Sequence, residues 1–149
     1  MSVEENVKLM RRWFQEVWNE RNTQTINELV APNAVTFGQL EDGQPLRGAA
    51  GFAAFAGRIL GAFTEIHFVV EDVFGAGDKG VARWSATMTH SGDDLGMPAT
   101  GKQVRLTGIS VVRVSDGKFV EGWDNWDQLG LMKQLGVYQV PEAALLKSA

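Results

Sequence analysis

The chain contains no cysteine, which excludes disulfide bonds, thiol nucleophiles and zinc–thiolate sites. It has only two histidines, far apart in the sequence, so their spacing does not suggest a metal site. Basic runs that could follow a phosphate backbone are missing, and the net charge of −4 disfavours nucleic-acid binding. No stretch approaches the roughly 20 apolar residues that span a bilayer, and the N-terminus begins with acidic residues. We therefore expect a cytoplasmic protein without nucleic-acid or membrane partners.

Aromatic residues are, by contrast, abundant, with five tryptophans and eight phenylalanines beside a single tyrosine. Such rings could line a cavity for a flat apolar ligand. They could equally serve as ordinary core and interface rings, and the composition leaves both readings open. The length of 149 residues suits one domain, which we predict over 1–149 with a core at 4–136 and a tail at 137–149.

Helical patterns dominate the first part of the chain. Ser2 and Glu5 have the spacing of a capping box, and a helix is predicted to follow and to end near Arg21. A short helix with Val30 on its apolar face should stop at Pro32. A third helix should start near Gly48, with its apolar stripe at Phe52, Phe55, Ala56, Ile59, Leu60 and Phe63.

Strand patterns dominate the second part, after a short predicted strand at 35–37. From Ile66 the apolar period changes from 3.6 to 2, and further strands are predicted at 81–90, 102–114 and 118–126. Ser115-Asp116-Gly117 is typical of a hairpin turn, and Asp127 should cap a last helix that Gly136 ends. This order predicts an α+β fold, with a curved antiparallel sheet wrapped around the helices and a conical cavity open at one end.

The segment from Gly117 to Asp127, GKFVEGWDNWD, followed by Leu135-Gly136, resembles the SnoaL-like polyketide cyclase family of the nuclear transport factor 2-like superfamily. The loop Gly96-Met97-Pro98-Ala99-Thr100-Gly101 is similar to the same family, and the resemblance covers roughly residues 4–136. It implies a cone-shaped barrel with a deep pocket for a hydrophobic, aromatic small molecule. It also implies a homodimer or higher homo-oligomer built on the outer sheet face, and no metal or organic cofactor.

The resemblance further implies intramolecular aldol ring closure, with an aspartate near the end of the last long strand as the acid/base. That position is Asp124 here. Strand parity groups Asp124 with Val120, Gly122 and Trp126, and puts Phe119, Glu121, Trp123 and Asn125 on the other face. A structural aspartate is the alternative reading for Asp124. His90 is a second catalytic candidate, expected at the pocket mouth, and the predicted pocket lining is Trp18, Phe37, Phe55, Trp84, Met88, Ser110 and Trp126.

One position departs from the family pattern, because the cyclases support their aspartate with a histidine where counting places Ser110. A ketosteroid isomerase-like site would need a tyrosine, and Tyr138 lies beyond the predicted barrel. An epoxide hydrolase-like site needs an Asp–Arg–Asp set, but Ser85 and Thr87 stand where the second strand would supply two of its members. A non-catalytic metabolite binder and an assembly module remain alternatives on this fold.

Overall fold

Helices come first and long strands follow in residues 2–138, which the computed structural model describes. The first helix changes from α to π form at Phe14. In chain order the elements are α1 (Val3–Trp13), a π-helix (Phe14–Asn19), α2 (Gln24–Leu29), β1 (Val30–Phe37), β2 (Leu46–Arg47), α3 (Gly48–Ala62), β3 (Phe63–Ala76), β4 (Lys79–His90), β5 (Gln103–Ser115), β6 (Lys118–Trp126) and α4 (Gln128–Gln134).

One six-stranded sheet contains all of these strands, in the order β2-β1-β6-β5-β4-β3. Strands β3 to β6 form the predicted antiparallel meander, and Asp116 and Gly117 make the β5–β6 turn with positive φ angles of 51° and 74°. Strand β1 instead pairs with β6 in parallel. The sheet is therefore mixed, and the parallel pair brings the end of β1 beside the end of β6.

The N-terminal helices pack against the sheet through an aromatic and apolar face. The capping box is confirmed, because the Ser2 hydroxyl accepts the Glu5 N–H while the Glu5 carboxylate accepts the Ser2 N–H. Phe14 and Trp18 of the π-helix are both buried, and their rings contact Phe68 of the sheet.

Two element boundaries and the face of one strand residue differ from the sequence prediction. Helix α2 ends at Leu29 and β1 begins at Val30, because a register shift between Val30 and Val35 lets the strand accommodate Pro32. Phe63 is the first residue of β3 rather than the last of α3. Phe119 is buried and not on the outer face, since the β5–β6 register shifts beside it and reverses the simple alternation.

Within residues 2–138, no helix is both long and apolar enough to cross a bilayer.

Candidate functional site

An apolar cavity of about 70 Å³ lies between the helices and the concave face of the sheet. Six of the seven residues predicted to line a pocket do line it, among them Trp18, Trp84 and Ser110. Aromatic rings form most of its wall, with Gln39, Ser110 and Asp124 as its polar residues. The rings belong to Trp13, Phe14, Trp18, Phe52, Phe55, Phe63, Phe68, Trp84 and Trp126.

The rings on one side of the cavity form a continuous aromatic surface. Trp18 stacks on Phe68 with the ring centroids 5.6 Å apart, and Phe68 contacts Trp84 at 4.9 Å. The Trp84 indole lies over Gly108 of the neighbouring strand, where any Cβ would collide with the ring. This packing fixes the indole and aims its N–H at the Ser110 hydroxyl, 3.0 Å away.

Asp124 stands opposite Ser110 in the β5–β6 register, because the register shift between Arg113 and Val114 moves the pairing by one residue. The Gln39 side-chain amide donates a hydrogen bond to Oδ2 of Asp124. Because the Ser110 oxygen already accepts the Trp84 N–H, its own proton is free to be donated towards Asp124. The carboxyl group thus has two polar neighbours in an otherwise apolar wall.

These surroundings act on the acidity of Asp124 in opposite directions. Burial is the larger cause, and it raises the pKa of the carboxyl above its ordinary value of 3.8. Hydrogen bonds from Ser110 and Gln39 to the ionised form partly offset this increase in the pKa. Asp124 as a residue keeps some contact with solvent, whereas its carboxyl group faces the cavity. A carboxyl group held in this way can both accept and return a proton.

Gln39 is a functional residue that the sequence analysis missed. It follows Gly38, whose φ of 100° turns the chain inward just after β1 ends. A Cβ at Gly38 would lie 1.8 Å from the Asp124 carbonyl oxygen, so only glycine permits this close approach. The Gly38 carbonyl in turn accepts the Trp126 indole N–H at 3.0 Å and the Gln128 side-chain N–H at 2.8 Å. A glycine followed by a polar residue at a strand end was the available signal.

Phe37 was expected in the pocket lining, and this expectation is wrong. Its side chain is 37% exposed and lies outside the cavity. The three-residue pattern at 35–37 could not fix the strand parity, and in the structure Thr36 is the residue that faces inward.

His90 was expected at the pocket mouth, but it is fully buried and does not line the cavity. Its Nδ1 accepts the backbone N–H of Thr100 at 3.1 Å and lies 3.0 Å from the Thr100 hydroxyl. The ring packs on Phe63 with centroids 5.4 Å apart. His90 therefore fastens the loop between β4 and β5 and stands away from any ligand in the cavity.

Asp127, three residues after Asp124, caps α4 as predicted. Its Oδ1 accepts the Gly130 N–H at 2.8 Å. This cap starts α4, and Leu131 of that helix lines the cavity near its mouth.

The mouth opens into a groove of about 600 Å³, and Phe55, Ile59, Trp126 and Leu131 line both spaces. The groove adds polar and charged side chains, including Arg58 and Glu41, that are not part of the apolar cavity. A ligand too large for the cavity would thus lie partly in the cavity and partly in the groove.

Comparison with known proteins agrees with this architecture. The sequence profile of the family described as SnoaL-like polyketide cyclase matches residues 8–135. Aklanonic acid methyl ester cyclase DnrD of Streptomyces peucetius is 32% identical over 131 residues, covering 87% of this chain and 90% of the relative. Aklanonic acid methyl ester cyclase DauD of Streptomyces sp. (strain C5) is also 32% identical, with 87% of this chain and 81% of the relative covered.

Among solved structures, TsrD from Streptomyces laurentii is similar in fold. It superposes with a TM-score of 0.78 at 26% sequence identity, covering 93% of this chain and 99% of TsrD. The profile match over nearly the whole described region, the two relatives above 30% identity and the shared fold lead to one assignment. The chain belongs to the SnoaL-like polyketide cyclase family.

Proposed function

We propose that this protein catalyses an intramolecular aldol ring closure on an aromatic polyketide ester, with Asp124 as the acid/base and without a cofactor. The observation that carries the proposal is the position of Asp124, a carboxyl group with a raised pKa in an aromatic cavity. Family membership and the two relatives named as methyl ester cyclases support the substrate class.

The reaction balances with one carboxyl group. The Asp124 carboxylate takes a proton from a carbon next to a carbonyl, and an enolate forms. The enolate carbon attacks a ketone carbon of the same molecule, so that a C–C bond forms and the C=O π electrons move to oxygen. Asp124 then returns the proton to this alkoxide, which becomes a hydroxyl group. The product is an isomer of the substrate, and Asp124 ends in its starting state.

Two neighbours of Asp124 serve this cycle. Gln39 and Ser110 hold the carboxyl group in place and stabilise its ionised form, which is the form that removes the proton. The apolar wall opposes ionisation, which makes the carboxylate a stronger base and favours the protonated form that later returns the proton. Ser110 thereby occupies the position opposite the aspartate where the known cyclases carry a histidine.

The first experiment compares Asp124→Asn with Asp72→Asn, using aklanonic acid methyl ester as the assay substrate. Asp72 is exposed on β3 and does not line the cavity, so its variant is a matched loss of one carboxylate. Ring closure is followed by chromatography, because the product has the substrate's mass but a different retention time. General acid–base catalysis contributes typically 10²–10⁴-fold, so we expect a rate loss of about that size in Asp124→Asn.

Asp72→Asn should retain turnover close to that of the wild type. Turnover that survives in Asp124→Asn would remove Asp124 from the mechanism. If the wild type binds the ester and forms no product from it or related esters, the cyclase proposal fails and a binding function takes its place.

We further propose that the protein forms a homodimer or a higher homo-oligomer through the outer face of the sheet. Val69 and Ile109 support this, because they are 41% and 47% exposed on strands whose alternate residues face the cavity. Light scattering should give a multiple of the 16.3 kDa chain mass, and Ile109→Glu should lower it towards the monomer. A monomeric wild type would contradict this proposal.

A further inference from the structure

Two buried oxygen atoms near Asp124 have no hydrogen-bond partner among the described residues. They are the Thr36 hydroxyl oxygen and the Gln39 amide oxygen, on residues only 8% and 6% exposed. The Gln39 amide orientation follows from its neighbour, since a carboxylate accepts hydrogen bonds and the N–H side must face it. The amide oxygen is therefore directed away from the carboxylate. Buried polar groups nearly always have a partner, so these two atoms can hydrogen-bond a molecule that enters the cavity.

Both residues line the same small space, an inner cavity of about 40 Å³ that continues from the main one. The two cavities share Gln39, Ser110, Asp124 and three aromatic side chains. The Thr36 position pairs with Gly122, two residues before Asp124, in the parallel β1–β6 register. Thr36 thus lies at the inner end of the cavity, whereas Gln39 borders this inner space, the main cavity and the groove at the mouth.

We propose that this inner end is a recognition subsite for a hydroxyl group on the leading ring edge of the substrate. A hydroxyl group donates one hydrogen bond and accepts others, and the subsite offers both functions. The ligand O–H donates to the Gln39 amide oxygen, and the ligand oxygen accepts the Thr36 O–H. The surrounding rings contact the apolar part of the same ligand edge.

This subsite makes a hydroxylated ring the substrate class and excludes a bare hydrocarbon edge. A site that hydrogen-bonds a ligand hydroxyl rejects an analogue without it, because the site's buried polar groups are then left unpaired. Thr36 thereby becomes a specificity-determining residue, and Gln39 holds Asp124 with one end of its amide and the ligand with the other. This inference deepens the proposed function, because a substrate subsite presupposes that function.

The test is a binding measurement that does not depend on turnover. The probes are 4-methylphenol and 1,4-dimethylbenzene, which have nearly the same shape and differ by a hydroxyl in place of a methyl group. Affinities are measured by NMR titration, following the Gln39 side-chain amide and the indole signals. The variant is Thr36→Val, which replaces the hydroxyl by a methyl group of similar volume, and Thr36→Ser is the control that keeps a hydroxyl.

For each protein we take the ratio of the two probe affinities. Comparing this ratio between variants cancels the difference in hydration between the two probes. We expect Thr36→Val to lower the preference for 4-methylphenol by about five- to tenfold relative to the wild type, and Thr36→Ser to keep it near the wild-type value. The same ratio in the wild type and Thr36→Val would overturn the subsite and show that water satisfies the two oxygens in every state.

The same measurement on Asp124→Asn separates the two proposals. A retained preference in that variant, together with unimpaired ring closure, leaves the subsite standing and removes the proposed role of Asp124. A rate loss in Asp124→Asn without any effect of Thr36→Val on the affinity ratio removes the subsite and leaves the proposed role of Asp124 standing.

Discussion

The two faces of strand β6 carry the same chemical group in opposite surroundings. Asp124 points into an aromatic cavity and receives its hydrogen bonds from neutral side chains. Glu121 forms an ion pair with Arg113, and both side chains of that pair are about one third exposed. Burial opposes the charge of Asp124 and raises the pKa of that carboxyl, whereas Glu121 keeps a cation and water beside it. The difference shows that the surroundings of a carboxyl group, more than its sequence neighbours, decide how strongly its charge is opposed.

The strongest way to test this contrast is the dependence of stability on pH. Burial raises the pKa of Asp124 in the folded state, so between pH 3.8 and that raised pKa the folded state binds more protons than the unfolded state. This contribution to the free energy of unfolding must therefore fall as pH rises through that window. Urea unfolding at a series of pH values should show the fall in the wild type and a flatter profile in Asp124→Asn. Parallel curves for the two proteins would contradict the pKa direction.

Removing the hydroxyl opposite Asp124 should have the next largest effect. Ser110→Ala leaves the buried Trp84 N–H without its acceptor, and an unpaired buried donor costs about 1–3 kcal/mol of unfolding free energy. Denaturant unfolding measures this loss. The control is the double variant with Trp84→Phe, which removes both partners. Its destabilisation should be smaller than the sum of the single variants, and a simple sum would mean that the hydrogen bond is not made.

Asp127 offers a carboxyl group that lies on neither face of the sheet. Its carboxylate caps α4 through the Gly130 N–H, and loss of such a cap costs typically about 1 kcal/mol. Asp127→Ala should lower thermal stability accordingly, while Asp127→Asn, which retains a capping oxygen, should lower it less. A rate loss in Asp127→Asn as large as that of Asp124→Asn would blur the distinction between the two aspartates.

The outer-face ion pair should give the smallest effect. Exposed pairs contribute about 0–1 kcal/mol, so Glu121→Gln should change the free energy of unfolding by less than about 1 kcal/mol. The residual effect should shrink further at high salt, because exposed charges are screened. A salt-independent loss of several kcal/mol would show that this pair is as enclosed as Asp124.

The sequence predicted those parts of the structure that depend on local pattern. The capping box at Ser2, the two-residue turn at Asp116-Gly117 and the cap at Asp127 each rest on residues close in the chain, and all three are present. The tight turn between β5 and β6 sets only the nearest pairs, such as Val114 with Phe119, because the pairing of Ser110 with Asp124 also needs the register shift beyond Arg113.

The rest depended on distant contacts. Gln39 reaches a partner 85 residues away, and nothing near it in sequence marks that partner. Pro32 was interpreted as a helix stop, but a register shift places it within β1. Phe37 was wrongly assigned to the pocket, because a three-residue strand pattern does not show which face each residue occupies. The parallel pairing with β6 determines the face that Phe37 occupies.

That parallel pairing also sets an order of events as the chain is made and folds. Strand β1 leaves the ribosome early, yet its long-range partner β6 ends at Trp126, close to the last described element. Contacts between such distant segments carry a high loop-closure cost and form late. The contact between Gln39 and Asp124 joins the two ends of this long loop. The proposed site around Asp124 is therefore expected to be among the last parts of the described fold to assemble.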